Sequence, residues 1–226
     1  HIQIKGVFNK AALREMAKLI DESSLKVYEE IPATVLKTSY PLSSAQRRLW
    51  FLSQFTNGNI AYNMPMAYIF EGELQNEKLE LALFTLIERH EILRTIFKDN
   101  ELGEVNQFIL KPNDVFKEVL WYNDLRNKDI SKEKVEKLIA LEFNKSFDLK
   151  QGPLFRVNIY RLEAHKWIFS FTMHHIISDG WSQHIFFNEL IKLYTAVDLN
   201  LVSNNLSPLR IQYKDYSVWE QNELSG

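Results

Sequence analysis

Residues 154–180 have the sequence LFRVNIYRLEAHKWIFSFTMHHIISDG, which shows the local organisation of the chain more clearly than any other stretch. Two runs rich in β-branched and aromatic residues, Leu154–Leu162 and Trp167–Met173, are separated by a short polar connection, and this pattern predicts an antiparallel hairpin. Neighbouring residues of a strand point to opposite faces. We therefore expect one of the two histidines that follow, His174 and His175, to face the core and the other to face a cleft.

Outside the hairpin, apolar residues recur mostly at helical spacing, and two further short runs are typical of strands. Ser43 or Ser44 is the expected cap of the first long helix. Strands mixed with helices, including an antiparallel hairpin, predict an α/β fold (an α+β layered sandwich) with a mixed sheet flanked by helices. The predicted helices are Leu13–Ile20, Ser44–Phe55, Asn76–His90, Lys132–Phe143, Ser182–Leu199 and Tyr213–Glu223, and the additional strands are Met66–Phe70 and Glu104–Leu110.

The composition of the 226 residues is that of a globular protein and excludes several functions. The net charge of −2 leaves no basic surplus for a phosphate backbone, so nucleic acid is not an expected partner. Cysteine is absent, which excludes disulfides, thiolate metal sites and a cysteine nucleophile, and which fits a cytoplasmic location. The sequence has no apolar run long enough for a membrane span and no signal-peptide pattern, so we expect no membrane association.

The segment from His174 to Gly180 contains the residues best suited to chemistry. Histidine titrates near neutral pH, and a carboxylate such as Asp179 can orient the ring or brace the loop, while Gly180 permits a sharp turn or a close backbone approach. Two adjacent histidines on a strand cannot easily hold one metal ion, and no metal site is expected. A purely structural interpretation is also open, in which His174 belongs to the core and Asp179 caps the next helix.

Four separated blocks resemble the core motifs of condensation domains in nonribosomal peptide synthetases, and they occur in the order of that family. Two connecting pieces, AYNMP at 61–65 and FDLKQGPL at 147–154, are also similar to the family. The four blocks are LSSAQRRLW at 42–50, RHEILRTIF at 89–97, MHHIISDGWS at 173–182 and YKDYSVW at 213–219.

The resemblance implies a fold and a domain organisation. Condensation domains resemble chloramphenicol acetyltransferase and consist of two such lobes with the active site in a tunnel between them. Residues 39–226 resemble the amino-terminal lobe, and motifs similar to those of the carboxy-terminal lobe do not occur. Residues 1–25 resemble the last helix region of a carrier domain, and residues 26–38 are the expected linker.

The resemblance also implies a role for each residue of the site. His175 is the expected catalytic residue, either as general base for the attacking amine or as the group that positions the amine and stabilises the tetrahedral intermediate. His174 supports the loop from the core side. Asp179 is expected to form an ion pair with Arg89 or, less favoured, Arg94, because a buried carboxylate needs such a partner.

Three further residues of the same block have implied supporting roles. The N–H of Gly180 is a candidate oxyanion donor, and Trp181 and Ser182 are expected to line or support the site. In the remaining blocks, Gln46 and Arg47 are expected to pack the lobe, although Arg47 and Arg48 are also candidate contacts for a carrier domain or its phosphate. The packing role extends to Trp50, Tyr213, Tyr216 and Trp219.

The implied reaction is amide formation between substrates that arrive as thioesters on phosphopantetheine arms, with no tightly bound cofactor. The implied partners are upstream and downstream carrier domains, adenylation domains and the missing carboxy-terminal lobe. Cyclising relatives have Asp in place of the two histidines, and epimerisation domains differ from the sequence DGWS at 179–182, so this sequence favours condensation. The blocks at 89–97 and 173–182 are most similar to the group that accepts an L-configured donor. Two alternatives are a non-catalytic docking or scaffold module and a stand-alone acyltransferase of the HxxxD type.

Overall fold

The first of two compact units comprises residues 1–31, and the second comprises residues 32–226. The computed structural model describes residues 12–22, 30–55, 58–126, 131–196 and 206–225. In the first unit, Leu13–Glu22 form helix α1, as the apolar spacing predicted. The rest of the predicted carrier-domain tail lies outside the described residues, and its assignment stays a prediction.

A four-stranded mixed sheet forms the centre of the larger unit. Its strand order is β2-β7-β6-β5, in which β5 and β6 are parallel and the other pairs are antiparallel. The predicted hairpin is therefore confirmed as the β6–β7 pair. A smaller sheet has the order β1-β4-β3. The strands are β1 (Tyr40–Pro41), β2 (Asn63–Glu71), β3 (Thr95–Asp99), β4 (Val105–Ile109), β5 (Leu120–Asp124), β6 (Phe155–Glu163) and β7 (Lys166–His174).

Helices flank the central sheet, and most of the long ones begin at a polar residue. Ser43 caps α2 through a capping box with Gln46, as the sequence predicted for this position. A 3₁₀ turn, Glu91–Arg94, joins α4 to β3. The helices of this unit are α2 (Ser44–Ser53), α3 (Gly58–Ala61), α4 (Asn76–Arg89), α5 (Pro112–Phe116), α6 (Lys132–Phe143), α7 (Gly180–Tyr194) and α8 (Tyr213–Ser225).

The two faces of the central sheet carry two separate apolar clusters. Phe155 and Phe171 are fully buried on the face that packs against α4 and α7, in the larger cluster. Tyr160 and Ile168 lie on the other face and pack against α6. The alternation of side chains along each strand produces this division. The predicted α/β class, with a mixed sheet flanked by helices, is confirmed.

Several elements differ from the prediction for identifiable reasons. Helix α7 begins at Gly180 rather than Ser182, because Asp179 is its N-cap, and it ends at Tyr194 with Thr195 as C-cap. The predicted end at Leu199 lies outside the described residues. Strands β3 and β5 were not predicted; each becomes a strand through pairing with another segment, β3 with β4 and β5 with β6.

No helix in the described part of the chain combines the length and the apolar character that crossing a membrane requires.

Candidate active site

His174 and His175 lie at the carboxyl end of β7 and differ completely in exposure. His174 is 0% exposed, whereas the side chain of His175 is open to solvent. The alternation of side chains along a strand accounts for the difference. The expectation that one imidazole faces the core agrees with this geometry, and the other imidazole faces solvent.

Main-chain hydrogen bonds hold the two histidines between the strands on either side of β7. The N–H of His174 donates to the carbonyl of Leu154 at 2.9 Å, and the N–H of His175 donates to the carbonyl of Tyr62, also at 2.9 Å. The backbone of His175 is therefore fixed, while its imidazole is free to meet a ligand. Such fixed positioning is what a reacting group requires.

The imidazole of His174 shapes the turn that follows it. The N–H of Ile176 donates to Nδ1 of His174 at 3.1 Å. Burial, with a smaller contribution from neighbouring His175, lowers the pKa of His174 to about 4. His174 is consequently neutral at pH 7 and serves as a hydrogen-bond acceptor inside the fold.

An aromatic ring packs against His174, and polar groups hold the segment that carries this ring. The ring of Phe147 meets the imidazole edge-on, with 6.2 Å between centroids. The guanidinium of Arg156 lies 3.8 Å from the centre of the Phe147 ring and donates to the carbonyl of Lys145 at 2.6 Å. Nδ2 of Asn63 donates to the same carbonyl at 2.9 Å. The chain segment before β6 is thereby held against His174.

A chain of buried amides connects the histidine loop to distant elements. Nε2 of Gln46 donates to the carbonyl of Ile176 at 3.5 Å and to Oε1 of Gln107 at 3.3 Å. Nε2 of Gln107 in turn donates to Oγ of Ser217 at 3.0 Å. Gln46, which the sequence placed among the packing residues, therefore also contacts the loop. Gln107 was not singled out, and its only signal is a polar residue inside a predicted strand.

Asp179 caps helix α7. The N–H of Ser182 donates to the Asp179 carboxylate at 2.7 Å, and the Ser182 hydroxyl donates to the same oxygen. The hydroxyl hydrogen bond, followed by the backbone one, lowers the pKa of Asp179. A capping carboxylate also interacts favourably with the positive end of a helix.

Within the described residues, Asp179 does not form the predicted ion pair with Arg89 or Arg94. Arg89 instead donates to Glu189, with 3.2 Å between Nε and Oε2, and Arg94 donates to the carbonyl of Leu110 at 2.6 Å. Glu189 lies ten residues beyond Asp179 on the same helix, which is about 15 Å along its axis. Arg89 therefore meets the middle of α7, far from its cap. Asp179 is exposed, so its charge needs no buried partner.

The block RHEILR at 89–94 makes contacts that hold three helices together rather than contacts that hold the histidine loop. Nε2 of His90 lies 2.6 Å from Glu189, and Nζ of Lys214 lies 2.7 Å from Glu91. These contacts join α4 and its 3₁₀ turn to α7 and α8. A signal for Glu189 was present in the sequence, because it is the sole acidic residue of the otherwise largely apolar segment 180–194.

The first turn of α7 is open to solvent. Trp181 is 78% exposed, and a Cβ added to Gly180 would meet nothing within 4 Å. Gly180 has no positive φ, so of the two features that a glycine permits here, a sharp turn and a close backbone approach, only the second has room: the space beside its backbone is open. The amides at this end of the helix favour a negatively charged ligand. Ser182 caps the helix with Asp179 rather than lining a pocket.

These groups form a site suited to proton handling and to the stabilisation of developing charge. An exposed imidazole stands on a rigid backbone, a carboxylate lies nearby, and the positive end of a 15-residue helix follows. Among the described residues, no group of three or more His, Asp or Glu side chains could hold a metal ion.

Comparisons with known proteins place this arrangement among related chains. A family model described as "Condensation domain" matches residues 36–226. Gramicidin S synthase 2 of Aneurinibacillus migulanus is 40% identical over 222 residues, which are 98% of this chain and 5% of that protein. Bacitracin synthase 2 of Bacillus licheniformis is 38% identical over 221 residues, 98% of this chain and 8% of that protein. The chain thus spans less than a tenth of either relative.

Solved structures show the same fold at larger coverage. The X-domain from teicoplanin biosynthesis superposes with a TM-score of 0.75 and 28% identity, over 88% of this chain and 41% of that one. The starter condensation domain of rhizomide synthetase RzmA gives a TM-score of 0.69 and 21% identity, over 84% of this chain and 45% of that one. The chain spans less than half of each of these structures.

Proposed function

The chain belongs to the condensation domain family, and on that basis we propose that it is the amino-terminal lobe of a domain that forms amide bonds in nonribosomal peptide synthesis. In this reaction the nitrogen of the acceptor amine attacks the carbonyl carbon of the donor thioester. The C–N bond forms, the C–S bond breaks, the thiol of the donor arm leaves, and the amine loses a proton. Both substrates arrive on the phosphopantetheine arms of carrier domains.

The exposed imidazole of His175 on a fixed backbone is the observation that supports this function most directly. It acts either as general base for the amine or as the group that positions the amine and stabilises the tetrahedral intermediate. Either role requires the ring to be accessible, and His175 is accessible while His174 is not. The free N–H of Gly180, at the positive end of α7, is the proposed donor to the oxyanion.

The proposal extends to partners and location. Arg47 and Arg48 are both exposed on α2 and are the proposed contacts for a carrier domain or its phosphate. Adenylation domains and the second lobe of the condensation domain complete the assembly. Residues 1–25 are proposed to end a preceding carrier domain. A cytoplasmic location, in keeping with the absence of cysteine, is part of the same proposal.

The test measures peptide formation between loaded carrier domains by a complete condensation domain. This domain is made by joining the chain to the second half of a condensation domain from gramicidin S synthase 2. His175→Ala is expected to lower the rate by about 10²–10⁴-fold, the usual contribution of a positioned acid–base group. The exposed side chain of His175 makes an effect on folding small.

His165→Ala is the matched control for that substitution. His165 is also exposed, but it lies in the turn at the opposite end of β7, so its removal leaves the condensation rate unchanged. Near-normal condensation by the His175→Ala domain would contradict the proposed role.

A second candidate function is a docking module without catalysis. The teicoplanin X-domain is similar to this chain, and another structure shows that X-domain in complex with OxyB, with a TM-score of 0.72 and 25% identity. Absence of condensation by the unmodified complete domain, together with binding of a separate enzyme, would favour this alternative.

A further inference from the structure

Arg156, the second residue of β6, holds the carboxyl end of α6 through main-chain carbonyls. Its guanidinium donates to the carbonyl of Glu142 at 3.4 Å, to that of Lys145 at 2.6 Å and to that of Ser146 at 3.2 Å. A cation at this end of a helix interacts favourably with the negative end of the helix dipole. Arg156 therefore fixes the chain where it leaves α6 and turns towards β6.

The ring of Phe147 links this arginine to His174. The guanidinium lies over the face of the ring, with its carbon 3.8 Å from the ring centre, and the same ring meets the imidazole of His174 edge-on. Phe147 directly follows Ser146, so Arg156 holds both the ring and the main chain in front of it. Loss of the planar guanidinium would free the ring to move, and the imidazole would then lose the surface against which it packs.

The imidazole of His174 fixes the peptide group that follows His175. The N–H of this peptide, which belongs to Ile176, donates to Nδ1 of His174 at 3.1 Å, and its carbonyl accepts from the N–H of Ser178 at 3.4 Å. The direction in which His175 presents its ring therefore depends on the orientation of the His174 ring, which Phe147 sets.

Arginine suits position 156 better than lysine does. A guanidinium carries five N–H groups in one plane, so it donates to several carbonyls while its face stacks on an aromatic ring. An ammonium group keeps the charge at the end of α6 but cannot make the same set of planar contacts. Substitution by lysine thus separates the charge of Arg156 from its hold on Phe147.

We propose that Arg156 is a positioning residue for amide formation, which acts through Phe147 and His174 on the direction of the His175 imidazole. This inference rests on the proposed function, since it gives His175 the reacting role. Arg156 reaches the reacting residue through two buried side chains, because His174 is 0% exposed and Phe147 is 3% exposed. Its effect is therefore expected on the rate of the chemical step and not on the binding of the loaded carrier domains.

The first test measures peptide formation by the complete condensation domain, in which the chain is joined to the second half from gramicidin S synthase 2. Arg156→Lys is expected to lower kcat by about 10–10²-fold, a cost typical of displacing a reacting group by about 1 Å. The KM for each loaded carrier domain should stay within about twofold of its original value.

Arg161→Lys is the matched control for that substitution. Arg161 lies on the same strand, about 16 Å farther along and away from the end that pairs near His174. It also stacks on an aromatic ring, that of Trp167 at 4.6 Å, and donates to a main-chain carbonyl, that of Ala164 at 3.0 Å. The kcat of this variant should stay within about twofold of the original.

Amide hydrogen exchange, followed by NMR in the isotope-labelled chain alone, tests the positioning without any activity. Arg156→Lys is expected to speed the exchange of the Ile176 N–H at least about tenfold, because its acceptor on His174 becomes mobile. The N–H of His174, which donates to Leu154 within the sheet, should exchange at its original rate. Equal acceleration of both amides would assign Arg156 a role in overall stability alone and would overturn the inference.

The kinetic outcomes separate this inference from the proposed function. A kcat for Arg156→Lys within about twofold of the original, or an equal loss in Arg161→Lys, overturns the inference. Normal condensation by His175→Ala refutes the proposed function, whatever the exchange rate of Ile176. Loss of condensation in His175→Ala with none in Arg156→Lys refutes the positioning role alone.

Discussion

The imidazole of His174 is the buried titratable group closest to the proposed reacting residue. Its pKa of about 4 lies well below the usual value of about 6.5 for histidine. The folded chain therefore binds fewer protons than the unfolded chain between pH 4 and 6.5. Stability contributed by the neutral ring is complete above about pH 6.5 and is lost as the pH falls through that window.

His174→Asn tests this dependence, since asparagine keeps an acceptor for the N–H of Ile176 but does not titrate. The free energy of unfolding, measured by urea denaturation at pH 7.5 and 4.5, should fall less with pH in the variant. The expected difference in that fall is about 2–3 kcal/mol. The same fall in both proteins would show that His174 does not titrate as the structure indicates.

For single residues, the sequence predicted the different exposure of His174 and His175 but not the partners of the neighbouring residues. The alternation of a strand predicts opposite directions for His174 and His175, because it depends only on local geometry. The partners of Arg89 and Asp179 depend on where one helix crosses another, which sequence spacing does not contain. The helix cap of Asp179 was among the open interpretations, and it is the one that the structure shows.

Helix α7 carries the Asp179 cap at its start and the contacts of Glu189 with Arg89 and His90 near its middle. We expect the effects of these two parts of the helix on the free energy of unfolding to be independent. A double-mutant cycle of Arg89→Ala with Glu189→Ala should give a coupling of about 1–3 kcal/mol, measured by denaturant unfolding. The cycle of Arg89→Ala with Asp179→Ala should be additive to within about 0.5 kcal/mol. Strong coupling in the second cycle would instead support the ion pair between Arg89 and Asp179 that the family resemblance implied.

The turn before β6 depends on a glycine for two reasons. Gly152 has φ of +67°, and a Cβ there would lie 2.8 Å from Cγ2 of Ile96. Gly152→Ala should lower the free energy of unfolding by about 2–4 kcal/mol, from the backbone cost and the overlap together. Gly103→Ala is the control, because Gly103 has φ of +77° with open space around it, and it should cost about 1–2 kcal/mol.

The overlap can be separated from the backbone cost. Adding Ile96→Ala to Gly152→Ala removes the overlapping methyl group. The double variant should therefore lose less free energy of unfolding than the two single variants lose together. Additive effects would assign the whole cost to the backbone. Among the elements, the helix Lys132–Phe143 was predicted to the residue, whereas α7 begins two residues before its predicted start. Strand β5 was not predicted, because it forms by pairing with the distant segment β6.

His175 is open to solvent in the described part of the chain, which limits what the chain can do alone. Catalysis by positioned dipoles depends on a site from which water is excluded, and nothing within the described residues covers this imidazole. The chain alone is expected to fold but to show no detectable peptide formation with loaded carrier domains. Circular dichroism checks the fold and product analysis checks the activity, and robust turnover by the chain alone would contradict the prediction.

The fold class and the position of the proposed site followed from motifs whose order and spacing the sequence displays. The open edge of β2 did not, because a strand-like run such as Met66–Phe70 does not reveal whether one or two neighbours pair with it. Only the strand order β2-β7-β6-β5 makes that distinction. Contacts between distant segments are the information that a single sequence lacks.

The pairing of β2 with β7 has a consequence for the order of events during synthesis. The paired residues of the two strands lie 95 to 111 positions apart in the chain, from Glu71 with Lys166 to Asn63 with His174, so β2 leaves the ribosome long before its partner exists. Until then Tyr68 and Phe70 have no sheet to join, and contacts between such distant segments make folding slow. The nascent chain is therefore expected to bind chaperones through this segment until residue 174 has emerged.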